Sequence, residues 1–310
     1  LAAALIFGEF RARGGSGTVV RFVLGFFAMI GALAFLGCPW RAMLRLAGGD
    51  LNGLVGLIGL ALGISAGVFF LRRGYSLGRS REMSPAAGWI MPVFMAALLI
   101  FLITRSSLVI FSEKGPGSLH APIIVSLAVA LVIGFLAQRT RFCTMGAIRD
   151  MILIGDTHLA SGVGALLVTA FVVNLIIGRF NPGFTLQPVA HSSHLWNLLG
   201  MFLSGLAFCL AGGCPGRQLF LSGEGDGDAS VFVFGMIAGA AISHNFGLAG
   251  KPDAMADGKL VVGGIGTAGM IAVAIGIVVC LALGFTMREK STDITGKKSA
   301  AAVGGAKGGK

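Results

Sequence analysis

Long apolar runs alternate with short polar segments along the whole chain. Most of the runs contain no Asp, Glu, Lys or Arg, and they are close to the roughly 20 residues that a helix needs to cross a bilayer. The pattern therefore predicts about eight to nine transmembrane helices, with short broken or re-entrant helices beside them. The predicted spans are residues 22–36, 51–71, 89–111, 122–136, 158–177, 195–211, 231–248 and 260–285, and residues 1–10 have the composition of the end of a further span.

The composition supports a membrane protein. Of the 310 residues, 55% are apolar and 12% are charged, whereas soluble domains carry roughly 25% charged residues. We therefore predict an all-α integral membrane protein, with the lipid bilayer as its first partner. The fifty glycines fit closely packed or interrupted transmembrane helices.

The basic residues predict the topology. The net charge of +11 is concentrated in loops and in a lysine-bearing tail, so it indicates membrane orientation rather than nucleic-acid binding. The positive-inside rule places residues 72–81, residues 139–149 and the C-terminus in the cytoplasm, and the loop with His191 and His194 outside. The tail, 288–310, is expected to be disordered. Since the chain begins with Leu1 inside an apolar run, we expect an N-terminal piece to be missing.

Two short motifs interrupt the apolar pattern in the same way, each with glycine, cysteine, proline and arginine. The first contains Gly37, Cys38, Pro39 and Arg41, and the second contains Gly212, Gly213, Cys214, Pro215 and Arg217. Proline suits the first position of a helix, so each cysteine is predicted to be an N-cap. A thiol at this position faces free backbone N–H groups and the positive end of the helix dipole, which favours contact with an anion.

The two motifs belong to a longer internal repeat. A shift of 176 residues aligns six positions, which are Gly37, Cys38, Pro39, Arg41, Gly49 and Asp50 with Gly213, Cys214, Pro215, Arg217, Gly225 and Asp226. Five predicted crossings separate the motifs, and an odd number gives the two halves opposite orientations. Inverted repeats with interrupted helices are typical of transporters. We assign 1–138 to the first repeat with its connecting helices and 139–287 to the second.

The cysteines argue against metal and disulfide chemistry. The five cysteines form no CxxC pair, so neither a structural zinc site nor a disulfide framework is predicted. Cys209 and Cys280 lie inside apolar runs and are assigned to packing. No cofactor and no metal site are predicted.

The residues Arg141, Phe142 and Cys143, followed by Leu-Ala-Gly-Gly-Cys-Pro-Gly-Arg at 210–217, resemble the YeeE/YedE family of sulfur-compound transporters. Residues 207–228, together with 188–191, resemble the YedE subgroup that is linked to selenium metabolism. The resemblance implies a pseudo-symmetric protein of the bacterial inner membrane. It also implies that Cys38, Cys143 and Cys214 line a path along which thiols pass the anion. The chain departs from a strict repeat at Trp40, where the second motif has Gly216.

These observations lead to one functional expectation and two alternatives. We expect a transporter or channel, not an enzyme, that imports a small sulfur- or selenium-containing anion such as thiosulfate, with Arg41, Arg141 and Arg217 as anion contacts. The first alternative is a membrane thiol oxidoreductase. The second is a protein that delivers sulfur or selenium to a cytoplasmic enzyme, which the basic inner loops would dock.

Overall fold

The computed structural model describes residues 1–104, 110, 118 and 121–288, and most of these residues are helical. The helices of this part of the chain are α1 (Ala2–Ile6), α2 (Thr18–Phe35), α3 (Pro39–Ala47), α4 (Leu51–Arg72), α5 (Pro85–Ile103), α6 (Ile123–Thr140), α7 (Thr144–Ile154), α8 (His158–Ile176), α9 (His194–Ala211), α10 (Pro215–Gly223), α11 (Gly227–Asn245) and α12 (Thr267–Thr286). Two short antiparallel strand pairs lie in the loops. They are β1 (Arg13–Gly14) with β2 (Arg81–Glu82), and β3 (Ala254–Ala256) with β4 (Lys259–Val261).

The helices confirm an all-α membrane protein. Within the described residues, eight helical stretches are long and apolar enough to cross a membrane, and three of these combine a long helix with a short one: α2 with α3, α6 with α7, and α9 with α10. Helices α5, α6 and α8 expose most of their apolar side chains, as expected for surfaces that face lipid. The end of the predicted span 89–111 and nearly all of the tail 288–310 lie outside the described residues.

The start of the last predicted span is wrong. Residues 254–261 form the β3–β4 hairpin, whose turn contains Asp257 and Gly258 with positive φ angles, and α12 begins only at Thr267. The sequence does not distinguish β4 from the start of a helix, because a short apolar run fits a strand as well as a helix. At the other end of the chain, residues 1–10 contain only the five residues of helix α1.

The 176-residue repeat is visible in the helix boundaries. Helix α2 shifted by 176 gives the bounds of α9, α3 gives those of α10, and α4 and α11 begin at equivalent residues. The N-caps of α4 and α11 are also equivalent, because Asp50 and Asp226 each accept a hydrogen bond from a backbone N–H in the first turn of the helix they cap. The division at residues 138 and 139 stays a prediction.

Equivalent glycines pack the equivalent helix pairs. A Cβ atom on Gly59 or Gly63 of α4 would fall on the carbonyl oxygen of Leu198 or Phe202 in α9. The matching pairs of α11 and α2 are Gly235 with Phe22 and Gly239 with Phe26. Each of the four residues in the first interface lies 176 positions from its counterpart in the second, so the two interfaces are related by the repeat. Glycine lets the backbones touch, as is typical of helix packing in membranes.

The contact between α2 and α9 shows that the two repeats are inverted. Gly31 faces Gly200, and the Ser204 hydroxyl donates a 2.9 Å hydrogen bond to the Ala28 carbonyl. Contacts therefore run in opposite sequence directions along α2 and α9. Two equivalent helices that cross antiparallel are related by a two-fold axis perpendicular to them, as the sequence repeat predicts.

The loops group by charge as the sequence predicts. Strand β1 joins the arginine-rich loop at β2, and Glu9 contacts Gln138 and Arg139, so the basic segments near residues 13, 81 and 139 lie together. The loop of residues 181–183 lies at Gly49 and Asp50 instead, with the end of the first motif. Which group faces the cytoplasm stays a prediction.

Candidate functional site

The three predicted pathway cysteines occupy the same local structure. Cys38, Cys143 and Cys214 are the N-caps of α3, α7 and α10, and each has an extended backbone. Two positions before each cysteine, the preceding helix ends in a left-handed residue, which is Leu36, Arg141 or Gly212. Each cysteine is therefore presented at a sharp helix–helix break.

The backbone structure explains why proline and glycine flank the cysteines in the two motifs. Pro39 and Pro215 are the first residues of α3 and α10, as predicted. The N–H groups of Gly37 and Gly213 donate to the carbonyls of Ala32 and Phe208, which closes the ends of α2 and α9 in the Schellman manner. Gly212 supplies the left-handed cap with a φ of +85°, whereas the first repeat places Leu36 in this strained conformation.

The thiols of Cys143 and Cys214 are direct neighbours. The two side chains interact, and Thr144 and the first turn of α10 at Arg217 surround the Cys214 sulfur. Cys143 and Cys214 are 5% and 0% exposed, and both are free thiols. The Cys143 sulfur accepts a 3.2 Å hydrogen bond from the Gly146 N–H. The motifs at 143 and 214 therefore form one buried pair of sulfur groups.

Trp40 joins the Cys38 motif to this pair. Its ring lies edge-on to Phe142, with 5.2 Å between centroids, and tilted against Phe220 at 6.1 Å. Its edge lies over Gly216, two residues after Cys214. The sequence marked this residue only as a departure from the repeat, because its contacts join segments far apart in the chain.

An arginine-lined cavity of about 640 Å³ lies beside the starts of α7 and α10. Its charged lining consists of Arg11, Arg13, Arg139, Arg141, Arg217, Glu9 and Glu224. A third carboxylate, Asp226, pairs with Arg13 at 2.9 Å, so five arginines against three acidic groups leave an excess of two positive charges. Two ion pairs account for both glutamates: Arg217 Nη1 lies 3.5 Å from Glu224, and Arg139 Nη1 lies 3.2 Å from Glu9. We name this cavity the arginine vestibule.

The sequence identified only part of this vestibule. The sequence predicts Arg141 and Arg217 as anion contacts, and both line the vestibule. It assigns Arg139 to the topology and gives Arg11 and Arg13 no individual role. The inverted repeat gives the missing signal, because the loop before α2 lies on the N-cap aspartate of α11 and the loop before α9 lies on that of α4. Arg13 bridges to Asp226 as Gly183 bridges to Asp50.

Arg41, the third predicted anion contact, does not line the arginine vestibule. It is exposed, and its stem packs against Gly37. The buried arginine of the first repeat is Arg45 instead, which holds Asp50 through a 2.6 Å hydrogen bond from Nε and donates to the Phe35 carbonyl at 3.1 Å. Asp50 thus caps α4, accepting a hydrogen bond from the Asn52 N–H, and its ion pair is with Arg45 rather than with the motif arginine Arg41.

His191 is buried at the opposite group of loops. Its Nε2 lies 2.8 Å from the Ala34 carbonyl oxygen and must donate there, while Nδ1 has no hydrogen-bond partner. Burial lowers the pKa of His191, and this outweighs the effect of the Ala34 carbonyl, which raises it. His191 therefore acts as a neutral structural donor.

Cys209 and Cys280, the two cysteines outside the motifs, are packed in the core. Cys209 and Cys280 are 1% and 0% exposed within the helix core, and Cys209 packs against Gly67 of α4. In the described part of the chain, no three His, Cys, Asp or Glu side chains cluster as metal ligands would.

Comparison with known proteins identifies the family. Residues 139–306, more than half of the chain, match the model of the family described as Sulphur transport. The thiosulfate transporter TsuA of Escherichia coli (strain K12) is 29% identical over 104 residues, and that of Spirochaeta thermophila is 34% identical over 104 residues. These matches cover 33% and 32% of this chain but only 29% of each relative. No solved structure gives a significant match. The motif-based assignment is confirmed, and the chain belongs to the Sulphur transport (YeeE/YedE) family.

Proposed function

We propose that this protein is a membrane transporter that imports a small sulfur- or selenium-containing anion of the thiosulfate type. The observation that carries the proposal is the buried pair formed by Cys143 and Cys214, beside the arginine vestibule to which their own motifs contribute Arg141 and Arg217. The family supports a sulfur compound as the cargo, and two relatives are named thiosulfate transporters.

The chemistry of the lining suits such an anion. A thiol is soft and polarizable, so it accommodates the terminal sulfur or selenium atom better than a hard oxygen donor does. Its S–H group is only a weak hydrogen-bond donor. Weak and repeated contacts let an ion leave each site as easily as it arrives. We therefore assign Cys38, Cys214 and Cys143 to successive contacts, with the helix N-termini offsetting part of the cost of holding negative charge inside the membrane.

The charge distribution supports an orientation of the protein in the membrane that is compatible with import. The arginine vestibule lies with the basic loops, and basic loops of membrane proteins are generally cytoplasmic. In this arrangement the vestibule and the C-terminus face the cytoplasm of a bacterial cell, and the anion arrives from the Cys38 side. A cytoplasmic sulfur- or selenium-accepting protein would collect it at the basic face.

Uptake into proteoliposomes tests the proposal. Radiolabelled thiosulfate is presented to vesicles that contain the wild type or the variants Cys38→Ala, Cys143→Ala and Cys214→Ala. We expect saturable uptake by the wild type and a loss of about tenfold or more in each variant, which corresponds to about 1.4 kcal/mol of lost stabilisation of the passing anion. Selenosulfate should compete and sulfate should not, because sulfate lacks the soft terminal atom.

Cys280→Ala is the matched control, since Cys280 is equally buried but belongs to α12 and not to a motif. Full uptake by all three motif variants would refute the thiol path. The neighbouring thiols also suit the redox alternative, so the cysteines of active protein are mapped after alkylation. A Cys143–Cys214 disulfide whose formation tracks activity would favour an oxidoreductase over a transporter.

A further inference from the structure

We propose that the indole N–H of Trp40 donates a hydrogen bond to the anion as it passes between Cys38 and the Cys143–Cys214 pair. Trp40 thus becomes a specificity-determining contact that the cysteine motifs do not include. The proposal rests on the transport function proposed above and adds the donor that selects a charged, hydrogen-bonding cargo.

The position of Trp40 supports this role. It is the second residue of α3, so it follows the N-cap Cys38 closely. Its ring contacts Phe142, the neighbour of Cys143. Its ring atoms Cε2, which is bonded to the N–H nitrogen, and Cζ2 lie 3.4 and 3.2 Å from the position of a Cβ atom on Gly216. One side chain therefore touches the surroundings of all three pathway cysteines.

The hydrogen bonding of Trp40 supports the role independently. Its Nε1 atom is buried and has no hydrogen-bond partner. A buried donor without an acceptor destabilises a protein, and such groups in native structures call for an explanation. Tryptophan usually satisfies its N–H when it is buried. A passing anion would supply the acceptor that the protein lacks.

The ring contacts make the donor rigid. Phe142 holds Trp40 edge-on, and Phe220 and Gly216 close two further sides. A donor fixed in this way loses little side-chain freedom when the anion arrives. The thiols contact the soft sulfur end of the anion as weak S–H donors, and the stronger N–H group of Trp40 is free to donate to an anionic oxygen. Together the two kinds of contact distinguish thiosulfate and selenosulfate, which have both a soft atom and an anionic oxygen, from neutral thiols of similar size.

The test removes the N–H while keeping the ring. Trp40→Phe and a variant with benzothienylalanine at position 40, in which sulfur replaces the indole nitrogen, are compared with the wild type in thiosulfate uptake. We expect the apparent KM to rise about tenfold or more in both, because hydrogen bonds to charged groups are among the strong ones. The maximal rate should change less than about twofold, as for a lost binding contact.

Trp89→Phe is the control, since Trp89 is 39% exposed and packs against Phe10 instead. A wild-type KM with benzothienylalanine would overturn the proposal, because the ring alone would then account for Trp40. If Trp40→Phe fails to fold, the benzothienylalanine variant still decides, since it keeps the shape of the side chain. Absence of uptake by the wild type would instead refute the proposed function itself.

Discussion

The indole ring of Trp40 lies against Gly216, with its Cζ2 atom 3.2 Å from the position that a Cβ atom on Gly216 would occupy. The two residues are equivalent in the repeat, 176 positions apart, and the two-fold relation brings them face to face. Large side chains at both positions would compete for one space. The repeat is therefore broken at this position for a packing reason. The ring of Trp40 in the first half occupies the space that Gly216 in the second half leaves open.

This pairing predicts the effect of a larger residue at position 216. Gly216→Leu should lower the free energy of unfolding by about 1–3 kcal/mol, the usual cost of overpacking, because Phe142 and Phe220 prevent Trp40 from moving aside. Combining it with Trp40→Ala should recover part of the loss. Thermal unfolding in detergent measures both, and additive losses in the double variant would contradict the pairing.

The glycine contacts between helices give a second prediction. Gly63→Val and Gly239→Val should each lower the free energy of unfolding by about 3 kcal/mol or more, among the larger effects of single substitutions, because the new side chain meets the carbonyl of Phe202 or Phe26. Similar losses are expected, since the two sites are equivalent. Gly164→Ala in α8, where no atom lies within 4 Å, should be neutral or stabilising by up to about 1 kcal/mol.

The buried pair of Arg45 and Asp50 gives a third prediction. Their side chains are 7% and 4% exposed, so Arg45→Met leaves an unpaired buried carboxylate and should cost about 3–5 kcal/mol. Adding Asp50→Asn removes the charge and keeps an N-cap residue for α4. The double variant should therefore be more stable than Arg45→Met in the same unfolding measurement. A double variant that is less stable would show that Asp50 contributes chiefly through another contact.

The sequence predicts the features that repeat, and it misses contacts that depend on how the helices pack. The 176-residue shift anticipated the equivalent N-caps Cys38 and Cys214, because proline and glycine determine a helix break locally. It did not anticipate that Arg45, one turn beyond the motif arginine, would reach Asp50. Local spacing allowed either arginine, and only the fold of α3 against α4 decides between them.

The sequence misses part of the vestibule for a similar physical reason. Arg13 reads as a loop charge, and its place beside Asp226 depends on a contact between residues 213 positions apart. The contacts of Trp40 with Phe142 and Phe220 are equally remote in sequence. Periodicity and capping rules describe neighbours along the chain, so they leave such contacts open.

Acidification gives a fourth prediction. Since the pKa of His191 is lowered in the folded protein, the unfolded chain binds more protons as the pH falls through its ordinary pKa of about 6.5. The melting temperature should therefore fall between about pH 7.5 and pH 5.5. In His191→Gln, which keeps a donor for the Ala34 carbonyl, this dependence should flatten. A slope equal to that of the wild type would exclude His191 as its source.

Asp253 provides a control for this pH range. Burial opposes ionisation, but hydrogen bonds from Gly263 and Ser192 prevail and lower the pKa of Asp253. Its contribution is present above its unfolded pKa of about 4 and is lost only on acidification below that value. Asp253→Asn should therefore lower the melting temperature equally at both ends of the range from about pH 5.5 to about pH 7.5.

The arginine vestibule gives a fifth prediction, which separates attraction at a distance from contact in the path. Arg141→Gln and Arg217→Gln each lower the net charge of the vestibule by one, and each should raise the apparent KM for thiosulfate several-fold at low salt. The difference from the wild type should shrink as the screening length falls from about 10 Å at 0.1 M salt to about 3 Å at 1 M. Lys259→Gln, the same charge change on the exposed strand β4, should leave uptake unchanged. If Arg217→Gln instead loses uptake equally at every salt concentration, Arg217 contacts the anion directly, as expected for a group in the first turn of the helix that Cys214 caps.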